Sequence, residues 1–252
     1  MALPELSVEE QVPLIREYGF DAIDLRMREN GLGEVPMTAS PEELEHIRAQ
    51  IPDGTLSSVL CYNKQLNSGI SEMADSVAAH LRIAKALAAP AIRIFTGQLT
   101  DADIDRVCMA LETSLSRELQ GNILIQNHIR CGPTAYQAIQ ICRRLDSDRI
   151  GIAFSPDHCF LTEEAIPFEE IMPYVKQLYI SGDEKRNSGA PPWESERCYT
   201  ELLKLLYHTK AANTIITFKW ERCWKPELAD YKKVFPQFLK WFKEKTGEVR
   251  QS

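Results

Sequence analysis

Seven short apolar runs, separated by segments with helical patterning, constrain this 252-residue chain more than any other feature. They are Ala22 to Met27, Leu56 to Tyr62, Ala91 to Thr96, Asn122 to Gln126, Ile150 to Phe154, Val175 to Ile180 and Thr214 to Trp220. Strand-like runs alternating with helix-like segments are the signature of βα units around a parallel sheet.

The intervening segments carry their own start signals. Ser7 is followed three positions later by Glu10, and Ser40 by Pro41 and Glu43, so both serines read as N-caps with capping boxes. Met73, Val77, Leu81, Ala84 and Leu87 recur at spacings of three and four and predict one apolar helix stripe between about 72 and 88. Thr100 or Asp101 is expected to cap the next helix and Thr134 the one after it. The stretch Pro236 to Lys245, with Phe238, Leu239, Trp241 and Phe242, reads as a closing amphipathic helix.

No linker-like stretch or shift in composition divides the chain, so one domain over residues 1–252 is expected, and a TIM-type (β/α)8 barrel is its natural closed form. One strand is missing from that count. The chain opens almost directly into the helix after Ser7, where an eight-stranded barrel would first lay down a strand. Either the six residues before Ser7 form a vestigial strand, or the barrel is open or completed by another chain. An open barrel leaves unpaired backbone on two strand edges, a route to association as a homo-oligomer.

Composition narrows the class of partner. With 44% hydrophobic and 26% charged residues, the chain is an ordinary globular protein rather than a disordered, collagenous or coiled-coil one. Twenty-nine basic against 36 acidic residues give a net charge of −7, which argues against nucleic acid and anionic membranes and leaves a small molecule as the expected partner. No stretch approaches eighteen uncharged apolar residues, and the first residues lack the pattern of a secretion signal, so a cytoplasmic protein is expected. The seven cysteines are odd in number and widely spaced, and read as reduced thiols, mostly small buried apolar residues. Cys131 and Cys159 differ in following runs that carry other reactive groups.

In such barrels catalytic groups lie at the carboxyl ends of the strands. Here those ends carry Gln126, Asn127 and His128; Ser155, Asp157 and His158; Tyr179 to Asp183; and Lys219 and Glu221, with Arg93 inside the third run. Alternation puts Gln126 and His128 on one side, and Lys219 and Glu221 on one side. Each has a structural alternative: the histidines as satisfied hydrogen-bonders, Lys219 as a side chain snorkelling outward.

With these segments in order, the sequence resembles the xylose isomerase-like TIM barrels, a superfamily of sugar phosphate isomerases and epimerases. The resemblance rests on Gly19-Phe-Asp-Ala-Ile-Asp-Leu25, Ile92-Arg-Ile-Phe-Thr-Gly97, Leu124-Ile-Gln-Asn-His128, Gly151-Ile-Ala-Phe-Ser-Pro-Asp-His158, Leu178-Tyr-Ile-Ser181 and Phe218-Lys-Trp-Glu221. Arg93 to Gln98 and Lys219-Trp220 are also similar to the 3-dehydroshikimate dehydratase type. The resemblance implies a divalent metal held by a glutamate, an aspartate, a histidine and a second glutamate, polarising a hydroxy-carbonyl substrate. At the matching positions stand Gln126, Ser155, Tyr179 and Lys219, so neither metal nor other cofactor is expected.

Three readings remain open at this point. In the first, the protein is a metal-independent isomerase, epimerase or dehydratase acting on a carbohydrate-like ligand. Lys219 is then a fixed cation or Schiff-base amine, His128, His158 and Glu221 are acid and base, and Arg93, Gln126, Ser155, Asp157 and Tyr179 bind substrate. In the second, it is a catalytically inactive relative that binds a ligand or a protein. In the third, a relocated metal site is built from His128, Asp157, His158 and Glu221.

Overall fold

A computed structural model describes residues 2–27, 34–61, 69–162, 168–182, 191–194, 199–209 and 214–251. All seven apolar runs form strands: β1 Ile23–Met27, β2 Leu56–Cys61, β3 Ala91–Ile94, β4 Asn122–Gln126, β5 Ile150–Phe154, β6 Val175–Ile180 and β7 Ile215–Phe218. Each pairs in parallel with the next, in the order β1 to β7. The sheet curls into a nearly closed barrel with helices outside it, a TIM-type barrel with one strand fewer than eight among the described residues.

Strand alternation divides the barrel into two environments. Leu25, Met27, Val59, Ile92, Ile94, Ile123, Ile125, Ile152, Phe154, Leu178 and Ile180 belong to the large apolar core shared with the helices. The residues between them face the barrel axis, which hydrogen bonds between non-neighbouring strands establish: Tyr179 Oη of β6 donates to Asp24 of β1, and Ser58 Oγ of β2 to Gln177 Oε1 of β6. Among the described residues only Ala91, Leu124, Ala153 and the Tyr179 ring form an apolar cluster there.

The helices follow their caps. α1 (Val8–Tyr18) and α2 (Pro41–Ala49) start on the capping boxes of Ser7 and Ser40. α3 (Ile70–Ala86) buries the expected stripe. In α4 (Asp103–Arg117) the Thr100 and Asp101 carbonyls accept from the Asp103 and Ile104 amides, at 2.9 and 3.3 Å, but no side chain accepts a cap bond. Instead the Asp103 carboxylate reaches back to the Thr100 amide and hydroxyl, which lowers its pKa to about 2. α5 (Ala135–Leu145) is capped by Thr134 with Gln137 completing the box. α6 (Pro156–Thr162), α7 (Phe168–Ile171) and α8 (Tyr199–His208) follow.

Two expectations need correcting. The closing helix α9 runs from Tyr231 to Gln251, so Pro236 lies inside it rather than at its start. Asp230 begins it, its carboxylate accepting from the Lys232 amide at 2.9 Å and its carbonyl from those of Lys233 and Val234. Residues 2–6 form a turn, closed by the Leu6 amide on the Leu3 carbonyl, and not a vestigial strand. Leu3 packs with Ile15, Trp220, Val234 and Phe235.

Among the described residues β1 pairs along its length with β2, Val35 bridges the carboxyl end of its other edge through its amide on the Arg26 carbonyl at 2.8 Å, and β7 pairs only with β6; a cavity of 740 Å³ lies between β1 and β7. No helix among them is long and apolar enough to cross a membrane.

Candidate active site

The Lys219 amide donates to the Ile180 carbonyl at 2.8 Å, extending the β6–β7 ladder one residue past β7. Thr217, two residues earlier, accepts from Gln177 Nε2 at 2.8 Å inside the barrel. Alternation therefore turns Lys219 inward, and the side chain is buried rather than snorkelling outward. Its Nζ lies 2.9 Å from Asp157 Oδ2 and 3.6 Å from Glu221 Oε1. Asp157, in the first turn of α6, has no exposed side-chain surface, whereas Glu221 retains 22% of its own.

Next to this ion pair stand the two histidines. His158 Nε2 is 3.9 Å from Asp157 Oδ2, and the His128 and His158 rings lie 4.1 Å apart. Phe95 presents its edge to His128 at 5.2 Å between ring centroids. His128 Nδ1 accepts from the amides of Arg130 and Cys131 at 3.1 and 3.2 Å. An acceptor nitrogen carries no proton, so the neutral ring holds its hydrogen on Nε2. Burial, with the nearby Lys219 charge adding to it, lowers the His128 pKa to about 4, so the ring is neutral near pH 7.

The turn that positions His128 requires Gly132. A Cβ there would run into the Gln126 carbonyl and come within 3.0 Å of the His128 nitrogen. Beside the turn, a second cavity of 290 Å³ is lined by Gln98, Asn127, His128, Thr134, Gln137 and His158.

Below the mouth the polar groups bind one another. Arg93 donates to Gln126 Oε1 and, at 3.0 Å, to Asp24 Oδ2, and its guanidinium lies 4.6 Å from the centre of the Tyr179 ring. Gln126 Nε2 donates to Ser155 Oγ at 2.9 Å. Asn127 bridges to the Ser155 backbone through both its amide atoms, at 2.8 and 2.9 Å. Tyr179 donates to Asp24 at 2.7 Å and, chiefly through burial, its pKa is raised well above that of a free phenol.

The structure thus brings Lys219, Asp157, Glu221, His158 and His128 together at the mouth. Gln126 and Ser155 lie directly beneath, and Arg93 and Tyr179 on a deeper layer with Asp24. Asp24, Ser58 and Gln177 were missed as site residues. Asp24 alternates with Arg26 in an otherwise apolar run, but Ser58 stands next to Ser57 and Gln177 next to Lys176, so those two runs carry no alternating signal. Of the two cysteines set apart, Cys131 is exposed, and Cys159 is buried with Asn127 Nδ2 at 3.5 Å from its sulfur. Asp183 lies outside the described residues.

A divalent metal does not fit the positions to which the resemblance assigns it. Gln126 Oε1 faces the Arg93 guanidinium, Ser155 Oγ accepts from Gln126, Tyr179 is a donor, and Lys219 is a cation. Among the described residues no group of three His, Cys, Asp or Glu side chains is placed to hold an ion. The Lys219 ammonium sits between the two carboxylates that such a site would need.

Residues 12–244 match the model of the xylose isomerase-like TIM barrel family. A search of curated proteins finds no match. Among solved structures, an L-ribulose 3-epimerase superposes with a TM-score of 0.72 at 13% identity, covering 97% of this chain and 90% of that one. A 3-keto-D-glucoside 4-epimerase from E. coli gives 0.71 at 14% identity, covering 97% of both chains. A D-tagatose 3-epimerase-like protein gives 0.64 at 16% identity, covering 98% of this chain and 97% of that one.

Proposed function

The chain belongs to the xylose isomerase-like TIM barrel family, and from that premise we propose that its barrel mouth binds a small sugar or hydroxy-ketone and moves protons on it without a divalent metal. The observation that carries this reading is the Lys219 ammonium, buried at the carboxyl end of β7 and held by Asp157 and Glu221. It places a fixed positive charge where a substrate oxygen would meet it. The names of the similar structures, sugar epimerases, support the ligand class.

The chemistry assigned to these groups is enolisation. Glu221, the more exposed carboxylate, removes the proton from the carbon beside the ligand's carbonyl. The charge that develops on the carbonyl oxygen is met by the Lys219 ammonium and by the His128 Nε2 hydrogen. Delivery of a proton to the same carbon from the other face, the role given to His158 while Glu221 keeps the proton it removed, gives the epimer; return of the Glu221 proton to the former carbonyl carbon, with the neighbouring hydroxyl proton passing to the former carbonyl oxygen, gives the isomer. Lys219 acts as a fixed cation and not as a Schiff-base amine, because two carboxylates favour its charged form, whereas an attacking amine must be neutral.

The second reading, a binding barrel without chemistry, is favoured by the same ion pair, since Glu221 is drawn toward Lys219 and away from service as a base. Deuterium wash-in separates the two. Dihydroxyacetone and a panel of ketohexoses are incubated with the protein and EDTA in D2O and followed by proton NMR. Enolisation replaces hydrogen beside the carbonyl in the wild type, and the replacement is lost in Lys219→Met and Glu221→Gln. Thermal stabilisation by these sugars without exchange would establish the binding barrel. Exchange that EDTA abolishes and added Mn²⁺ restores would refute the metal-free proposal.

A further inference from the structure

We propose that Arg26, near the carboxyl end of β1, is a positioning residue for Glu221: it holds the turn after β7 so that the Glu221 carboxylate stays beside the Lys219 ammonium. The inference rests on the reading of Glu221 as the base. It adds a residue that touches neither the ligand nor the reacting atoms and acts through the turn alone.

Arg26 is fixed before it reaches that turn. Its carbonyl accepts from the Val35 amide at 2.8 Å, and its guanidinium pairs with Glu34, both side chains being buried. From there Nη1 donates to Cys223 Sγ at 3.5 Å, and the guanidinium carbon lies over the Trp224 ring, 5.6 Å from its centre. A guanidinium is a planar fork of five N–H donors, so one group can serve a carboxylate, a sulfur and an aromatic face together. Because Glu34 balances its charge, Arg26 holds the turn without competing with Lys219 for Glu221.

Cys223 and Trp224 belong to the turn that Glu221 opens, whose carbonyl accepts from the Trp224 and Lys225 amides at 2.9 and 3.0 Å. Arg222 ties the same turn elsewhere, to Glu5 at 2.8 Å and to Asp230 at 3.3 Å. The Glu221 carboxylate lies 3.6 Å from Lys219, against 2.9 Å for Asp157, so its place depends on the turn more than on that contact. A base must stand within reach of the proton it takes, and a displacement of about 1 Å costs up to roughly a hundredfold in rate. A residue that fixes the turn therefore fixes the rate.

Two variants test the role on the full chain. Arg26→Lys keeps a cation for Glu34, but an ammonium cannot pair with Glu34 and reach Cys223 and Trp224 together. Trp224→Leu removes the other side of the contact at a half-exposed position, so it folds even where Arg26→Lys does not, and it carries the same expectation. Hydrogen exchange is measured at the Lys225 amide, and kcat and KM for deuterium wash-in to dihydroxyacetone. In each variant the amide should exchange about tenfold faster or more, and kcat should fall about tenfold or more while KM changes by less than about twofold. The double variant should be no worse than Arg26→Lys, because both remove one contact. Unchanged Lys225 exchange, faster exchange with kcat intact, or losses that multiply in the double variant would overturn the proposal. A wild type that washes in no deuterium refutes Glu221 as the base and this role with it, whereas a wild type and an Arg26→Lys variant equally active refute the role of Arg26 alone.

Discussion

Replacing Lys219 by methionine keeps much of its volume but leaves Asp157 as a buried carboxylate without its ammonium. The expected cost is about 3–5 kcal/mol, because a buried charge deprived of its partner keeps its desolvation penalty. Lys219→Met/Asp157→Asn should recover most of that loss, and urea denaturation of the single and double variants measures both. His128 sets a pH dependence. Its pKa of about 4 in the folded chain lies below the ordinary value of 6.5, so between those limits the unfolded chain binds more protons. Stability is full above about pH 6.5 and falls as the pH drops toward 4, by no more than about 3 kcal/mol from this residue. His80, whose pKa burial also lowers, acts in the same direction. Comparing wild type and His128→Asn at pH 7 and pH 5 isolates the His128 share: the variant should lose less stability on acidification. At this scale the sequence displayed the mouth well, since His128, Asp157, His158, Lys219 and Glu221 follow strands directly. It hid Asp24, because one aspartate in Ile23-Asp-Leu-Arg-Met27 shows which way it faces only once β6 and Tyr179 stand opposite it.

Caps and turns decide how well each helix starts, and that in turn holds the mouth. Thr134 accepts from the Gln137 amide at 3.1 Å and lies two residues beyond Gly132, in the turn that orients His128. Thr134→Ala is expected to cost about 1 kcal/mol in thermal or urea unfolding. If the cap also steadies the turn, the His128 ring signals in an NMR spectrum should broaden. Ser7, Ser40 and Thr134 were legible because each carries its Glu or Gln three residues on. The start of α9 was misplaced at Pro236 because proline is a strong signal, while Asp230, its working cap, sits in a run of ordinary loop residues. In α4 the Thr100 amide and hydroxyl donate to the Asp103 carboxylate, the return half of a capping box, which residue type alone does not specify.

The barrel as a whole is weakest where it is open. Among the described residues the backbone hydrogen bonds of β7 are supported on one side only, and β7 is half-buried, so its amides should exchange faster than those of β3, β4 and β5. Hydrogen exchange with mass spectrometry checks that ranking, and protection of β7 equal to that of β4 would contradict it. Seven runs in the sequence were enough to count a strand short. That a cavity opens between β1 and β7, with the turn of residues 2–6 at one end of it, depends on how distant segments pack and is not written in any one of them. The axis of this barrel is filled by Asp24, Ser58, Arg93, Gln126 and Gln177, with little apolar material among them. Exposing polar groups on unfolding lowers the heat capacity increment, whereas exposing apolar surface raises it. Calorimetry should therefore give less than the roughly 12–15 cal/mol/K per residue usual for globular chains. The stability curve would then be flatter, so the protein would respond more gently to cooling than one of its size with an oily centre.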